Sequence, residues 1–114
     1  MTKTELAQLA LRKLGVISAN ETPSAADDAD MQATYTRLYA ELLERGLATW
    51  PEATIPDRIG EHLANVMAGR MRPQFTGEAW SPSTIEAETR VAMKPLLEIL
   101  VMQKSQARTK AEYY

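Results

Sequence analysis

The chain has 114 residues, 45% of them hydrophobic and 6% aromatic, with no cysteine and a formal net charge of −2. That is the size of one globular domain, and with a single Phe its core has to come mostly from Leu, Ile, Val, Met and Ala, which suits helices. The missing cysteines exclude disulfides, thiolate catalysis and Cys-based zinc sites, and the acidic balance offers no global basic field for a phosphate backbone.

The N-terminal stretch MTKTELAQLALRKLG contains no long uninterrupted apolar run, so no secretion signal is expected there. Nowhere does the chain approach the roughly 18 apolar residues of a membrane span, and a soluble protein made in a cytoplasm is expected. Leu6, Leu9, Ala10 and Leu14 recur at helical spacing, which predicts a first helix from Thr4 to Leu14. Gly15 follows where a left-handed cap belongs, and Val16 and Ile17 continue the apolar surface beyond it. A second helix is predicted from Ser24 to Arg45. Ser24 is its N-cap, and Asp27 three residues on completes an approximate capping box. Asp27, Asp28 and Asp30 lie near the positive end of the helix dipole, where negative charge is favourable. Met31, Tyr35, Leu38 and Leu42 form one stripe that Tyr39 and Leu43 widen, and Gly46 supplies a second C-cap signal.

Two prolines in TWPEATIP, residues 49–56, predict a loop. A third helix opens near Pro56 or Asp57, buries Ile59, Leu63, Val66, Met67 and Met71, and is expected to stop before Pro73. The turn-rich PQFTGEAWSPS then leads to a fourth helix, Ser83 to Gln103. Ser81 or Ser83 can cap it, with Glu86 completing a box with Ser83. Its stripe is Ile85, Ala92, Met93, Leu96, Leu97, Ile99 and Leu100. Pro95 falls inside that stripe and should kink the helix rather than end it, because apolar spacing resumes at once. From Gln103 onward the apolar pattern disappears. The expected fold class is all-α: a four-helix bundle with two long helices over residues 1–103, followed by an extended C-terminal tail over 104–114. So small a core under so much helix surface fits a protein that buries more against neighbours than it can bury alone.

No set of residues compels chemistry. His62 is the only histidine, lacks a positioned Ser or Cys partner, and points away from its neighbour Glu61 on a helix, so it reads as a half-exposed helical histidine before a metal ligand. Asp27, Asp28 and Asp30 lack the glycine and terminal glutamate of a calcium loop. Glu41, Glu44, Glu61 and Glu78 could be drawn as a glycosidase pair, but a general acid needs an apolar pocket to raise its pKa. No catalytic, metal or cofactor residue is assigned. Of Met31, Met67, Met71, Met93 and Met102, all but Met102 fall on inward stripes. Trp50 and Trp80 sit in loops beside prolines, each a lid over the bundle end or an anchor for a partner. The tail carries Lys104, Arg108 and Lys110 against Glu112 and closes on Tyr113 and Tyr114, so it is either a frayed terminus or a docking peptide that orders on binding. Against it stands the wholly acidic ETPSAADDAD. A subunit with an acidic patch and a basic tail can associate head to tail, and such contacts close into rings when the rotation permits.

The segment from Leu6 to Trp50, with its ALRKLGV helix end and its long LYAELLERGL helix, resembles the start of bacteriophage head-to-tail adaptor proteins, also called tail accessory factors or head-completion connectors. EHLANVMAGRMRPQF resembles that family's small-residue helix ending at a proline-containing turn, and a final helix follows in both, so the resemblance spans residues 4–103. It implies a non-enzymatic, all-α virion subunit in the neck of the particle. Copies would form a dodecameric ring on the portal protein, closing the filled head and accepting a tail or a stopper or nozzle protein, with no membrane and no specific nucleic acid as partner. The C-terminal segment of relatives grips the portal, and Lys104, Arg108, Lys110, Tyr113 and Tyr114 match that position. The alternatives are a small helical regulatory or nucleic-acid-binding protein, disfavoured by the acidic balance, and a cell-wall glycan hydrolase.

Overall fold

Local sequence signals divide the chain into four helices, α1 (Lys3–Lys13), α2 (Ala25–Glu44), α3 (Asp57–Thr76) and α4 (Pro82–Tyr113), and the described residues contain no strand. The computed structural model describes the backbone of residues 1–77 and 79–113, and the side chains of these through residue 106. Thr2 and Glu5 close a reciprocal capping box at the start of α1, with Glu5 N–H donating to Thr2 Oγ1 at 3.1 Å and Thr2 N–H to Glu5 Oε1 at 3.2 Å. This cap was not among the sequence expectations. Ser24 accepts from Asp27 N–H at 3.1 Å as expected, but the Asp27 carboxylate returns no bond, so the box at α2 is only half made.

Two helices end in the same way. Gly15 (φ 75°) and Gly46 (φ 69°) turn left-handed after α1 and α2. The next amide reaches back each time, Val16 N–H to Leu11 O at 3.1 Å and Leu47 N–H to Leu42 O at 2.9 Å. These are Schellman caps, and Leu47 is buried just beyond the second one.

α3 departs from expectation by running through Pro73 to Thr76. Proline removes the N–H that would bond the Gly69 carbonyl. The last turn is held instead by Thr76 Oγ1 donating to Arg72 O at 2.7 Å and by Gly77 N–H donating to Pro73 O at 3.1 Å. Phe75 packs on the core from this added turn, and Gly77 (φ 71°) ends the helix. α4 begins at Pro82 with Ser81 as its cap, its Oγ accepting from Thr84 N–H at 3.2 Å. Ser83 is therefore already helical, and Glu86 accepts from Arg90 Nη2 at 3.1 Å rather than completing a box with Ser83. The helix passes Pro95 and continues to Tyr113, so the segment expected as an extended tail is helical through that residue. Gln103–Tyr113 holds no Gly or Pro and is rich in Gln, Lys, Ala and Arg, which sustain a helix after the apolar stripe has ended. Three helices, not two, reach 20 residues or more. Tyr114 lies outside the described residues.

α3 is the central element. α1 and α2 pack on it and on each other, while among the described residues no Cα of α4 comes within 8 Å of any helix but α3. The core joins Leu6 and Leu11 of α1, Met31, Tyr35, Leu38 and Leu42 of α2, Ile59, Leu63 and Met67 of α3, and Leu96 and Leu100 of α4. Leu43, expected to widen the α2 stripe, is 55% exposed. A 32-residue helix is about 48 Å long, which accounts for the longest dimension of 51 Å.

Candidate interaction surface

The loop between α2 and α3 resolves one of the two tryptophans. Trp50 is buried, its Nε1–H donates to Tyr35 Oη at 3.2 Å, and Tyr39 meets its indole edge-on at 5.9 Å. Tyr35 and Tyr39 in turn donate to the loop carbonyls of Glu52 (2.8 Å) and Trp50 (2.7 Å). Burial pushes the Tyr35 phenol up to about 12; the nearby Glu52 and Tyr39 add to this, and the hydrogen bond from Trp50 opposes it. Trp50 is thus a lid that fixes the loop to α2, with no free face for a partner. Trp80 is only half-buried. The Arg72 guanidinium stacks 5.7 Å from its ring, and both border an open cleft with Lys13, Gly69, Glu88 and Val91.

The remaining residues singled out by sequence are dispersed. Asp28 accepts from Gln32 Nε2 at 2.9 Å within α2, whereas Asp30 accepts from Gln74 Nε2 at 3.1 Å and so ties α2 to the end of α3. Asp27 is half-buried at the first turn. Among the described residues no three His, Asp or Glu side chains gather at metal-ligand spacing. Glu41 pairs with Arg70 at 2.7 Å, and Glu61 with Lys13 at 2.6 Å. The Lys13 hydrogen bond, and then its charge, hold the Glu61 carboxyl below the usual range. Glu44 is exposed and His62 half-buried, while Glu78 lies outside the described residues. Lys104 is exposed, with its ammonium beside Gly46 and the carbonyl end of α2, 3.2 Å from where a Cβ on Gly46 would stand. Gln103, with its amide oxygen toward Arg58, accepts from Nε at 3.1 Å and Nη2 at 3.2 Å. The Gln103–Arg58 bonds tie α4 to the start of α3, and Lys104 lies beside the end of α2. The side chains of Arg108, Lys110, Tyr113 and Tyr114 lie outside the described residues.

The surface that sequence reasoning missed is the outward side of α4. Val91 is 72% exposed, Val101 54% and Met102 57%. Leu97 is half-buried, and it borders shallow apolar grooves with Val101 and Met102 on one side and with Val91 and Lys94 on another. The signal was present: Val91, Val101 and Met102 all fall off the inward stripe of α4. Single exposed apolar residues are common on protein surfaces, whereas several grouped along one helix make this face the candidate interaction surface.

The chain matches no family model, no curated protein and no solved structure. No helix among the described residues is long and apolar enough to cross a membrane.

Proposed function

We propose that this chain is a structural subunit of a bacteriophage head-to-tail adaptor: copies ring the portal beneath the filled head and offer the surface to which the tail or a nozzle protein attaches. The observation that favours it is the outward side of α4, where Val91, Val101 and Met102 stand exposed on a helix whose backbone, among the described residues, approaches only α3 of the other helices. A subunit designed for contact leaves such a face bare until neighbours cover it. The resemblance over residues 4–103 supplies the kind of assembly, and through it the dodecameric ring.

In this reading the C-terminal part of α4, with Lys104, Arg108, Lys110 and Tyr113, meets the portal as a helix, Tyr114 adds to that contact from beyond the described residues, and the acidic start of α2 at Asp27, Asp28 and Asp30 meets a neighbouring subunit. Within the chain Asp28 accepts from Gln32 and Asp30 from Gln74, neutral amides that do not cancel the carboxylate charge offered to that neighbour. The test is the particle mass of the purified chain with and without portal rings. A complex of portal and multiple copies, lost on deletion of residues 104–114 while most helical signal remains, is expected. A chain that ignores portal rings would sink the proposal.

A further inference from the structure

The outward side of α4 has a period of its own. Ala87, Val91, Lys94, Glu98, Val101 and Ser105 follow one another at alternating spacings of four and three, the repeat that lays a continuous seam along a helix. All six are exposed. The pattern is symmetric about its middle in a way that matters chemically. A cation and an anion occupy the centre, a valine lies beyond each, and a small residue closes each end.

We infer that this seam binds a second copy of itself, α4 against α4, antiparallel about a two-fold axis near Leu96. In that register Lys94 faces Glu98 of the second copy and Glu98 faces its Lys94. Val91 meets Val101 of the other chain on both sides of the axis, and Ala87 lies opposite Ser105. Leu97, on the flank of the seam, comes beside its own symmetry mate, and Met102 covers Val91 of the other copy. Within the chain neither Lys94 nor Glu98 makes an ion pair among the described residues, whose pairs include Arg90 with Glu86 on the same helix. Lys94 and Glu98 stand one turn apart yet are not paired with each other among the described residues, so both charges remain available to opposite partners across the axis.

Charge also selects the orientation. A parallel, in-register pair would set Lys94 on Lys94 and Glu98 on Glu98, and juxtaposed like charges disfavour that arrangement. A two-fold contact closes at two copies, whereas a ring needs a head-to-tail contact. The pair is thus a separate state from the proposed ring; it does not rest on that proposal, but it occupies the same α4 face, so a chain holds one contact or the other at a time.

The absence of cysteine allows a direct test of register. In the full chain carrying both Val91→Cys and Val101→Cys, mild oxidation should yield a disulfide-linked dimer. Either substitution alone should yield none, because identical positions would lie about 15 Å apart along the axis, beyond the roughly 7 Å that a disulfide bridges between Cα atoms. Sedimentation of the cysteine-free chain should give twice the 12.7 kDa monomer mass. Glu98→Lys should weaken the dimer at least about tenfold, and adding Lys94→Glu should restore it with helix content unchanged. A monomer at millimolar concentration, links from the single-cysteine variants, or a ring-sized particle without the paired link would overturn the inference. Portal attachment, present or absent, bears only on the adaptor proposal.

Discussion

α3 and α4 are built from the same helical period and interrupted by one proline each, yet they meet different surroundings. α3 buries Ile59, Gly60, Leu63, Ala64, Val66, Met67, Ala68 and Met71 within 20 residues, touching all three other helices. Among its described side chains, the longer α4 buries only Met93, Leu96 and Leu100, and among the other helices its backbone approaches only α3. Length therefore does not measure a helix's part in the core. α3 holds the fold together, and α4 leaves most of its described surface exposed.

Substitution at a buried position of α3 and an exposed one of α4 should widen that contrast most. Leu63→Ala, at a fully buried site, is expected to cost about 2–5 kcal/mol in denaturant unfolding. Val101→Ala should stay within about 0.5 kcal/mol of the parent in dilute solution. Equal losses would mean that α4 is as deeply integrated as α3. Hydrogen exchange provides the residue-level version: amides of α4 beyond Leu100 should exchange faster than those around Leu63.

The next effect belongs to the loop that Trp50 closes. Tyr35→Phe removes a donor to Glu52 O and an acceptor for Trp50, at an expected cost of about 1–2 kcal/mol at neutral pH. Its pH signature is more specific. The folded phenol titrates near 12 and the unfolded one near 10.0, so its contribution is complete below the lower value. It is lost as pH rises through the higher one, because only the unfolded chain releases the proton in between. The parent should lose stability across that interval, and Tyr35→Phe should flatten the fall. An unchanged alkaline slope would show that the phenol is not held protonated by the fold.

Smaller again is Gly46→Ala. The left-handed φ of 69° strains any side chain there, and the added Cβ would press on the Lys104 ammonium. About 1 kcal/mol is expected from thermal unfolding, and a stabilised variant would contradict the cap assignment. Smallest is Glu61→Gln. Its pair with Lys13 joins α1 to α3 at the surface, where solvent and salt screen it. The folded pKa is lowered, so the contribution exists above the unfolded carboxyl pKa and disappears on acidification through the folded one. The variant should match the parent in acid and differ slightly at neutral pH; a difference that persisted in acid would assign the effect to something other than the ion pair.

The folded helices explain which features were legible in advance. Ser24, Gly15 and Gly46 mark ends through backbone geometry and capping within a few residues, so their meaning travels with the local sequence. The inward stripes of α2 and α3 were legible for the same reason, and Met31, Leu38, Leu63 and Met67 are fully buried. Pro73 misled because its local cost is real, while the turn it sits in is held by Phe75 packing on the core. Leu43 misled because nothing in α2 shows that no other helix reaches that flank.

The same division holds for the candidate surfaces. By itself the sequence determined an all-helical chain, the glycine C-caps of α1 and α2, the Ser24 N-cap, and the faces that must turn inward, because these depend on residues within one or two turns of each other. Tertiary structure alone decided that Trp50 is covered while Trp80 stays half-open, that Lys104 lies against the end of α2, and that the outer seam of α4 remains bare. Each of those depends on where distant segments come to rest, and an amphipathic pattern names the side that seeks cover without naming what supplies it.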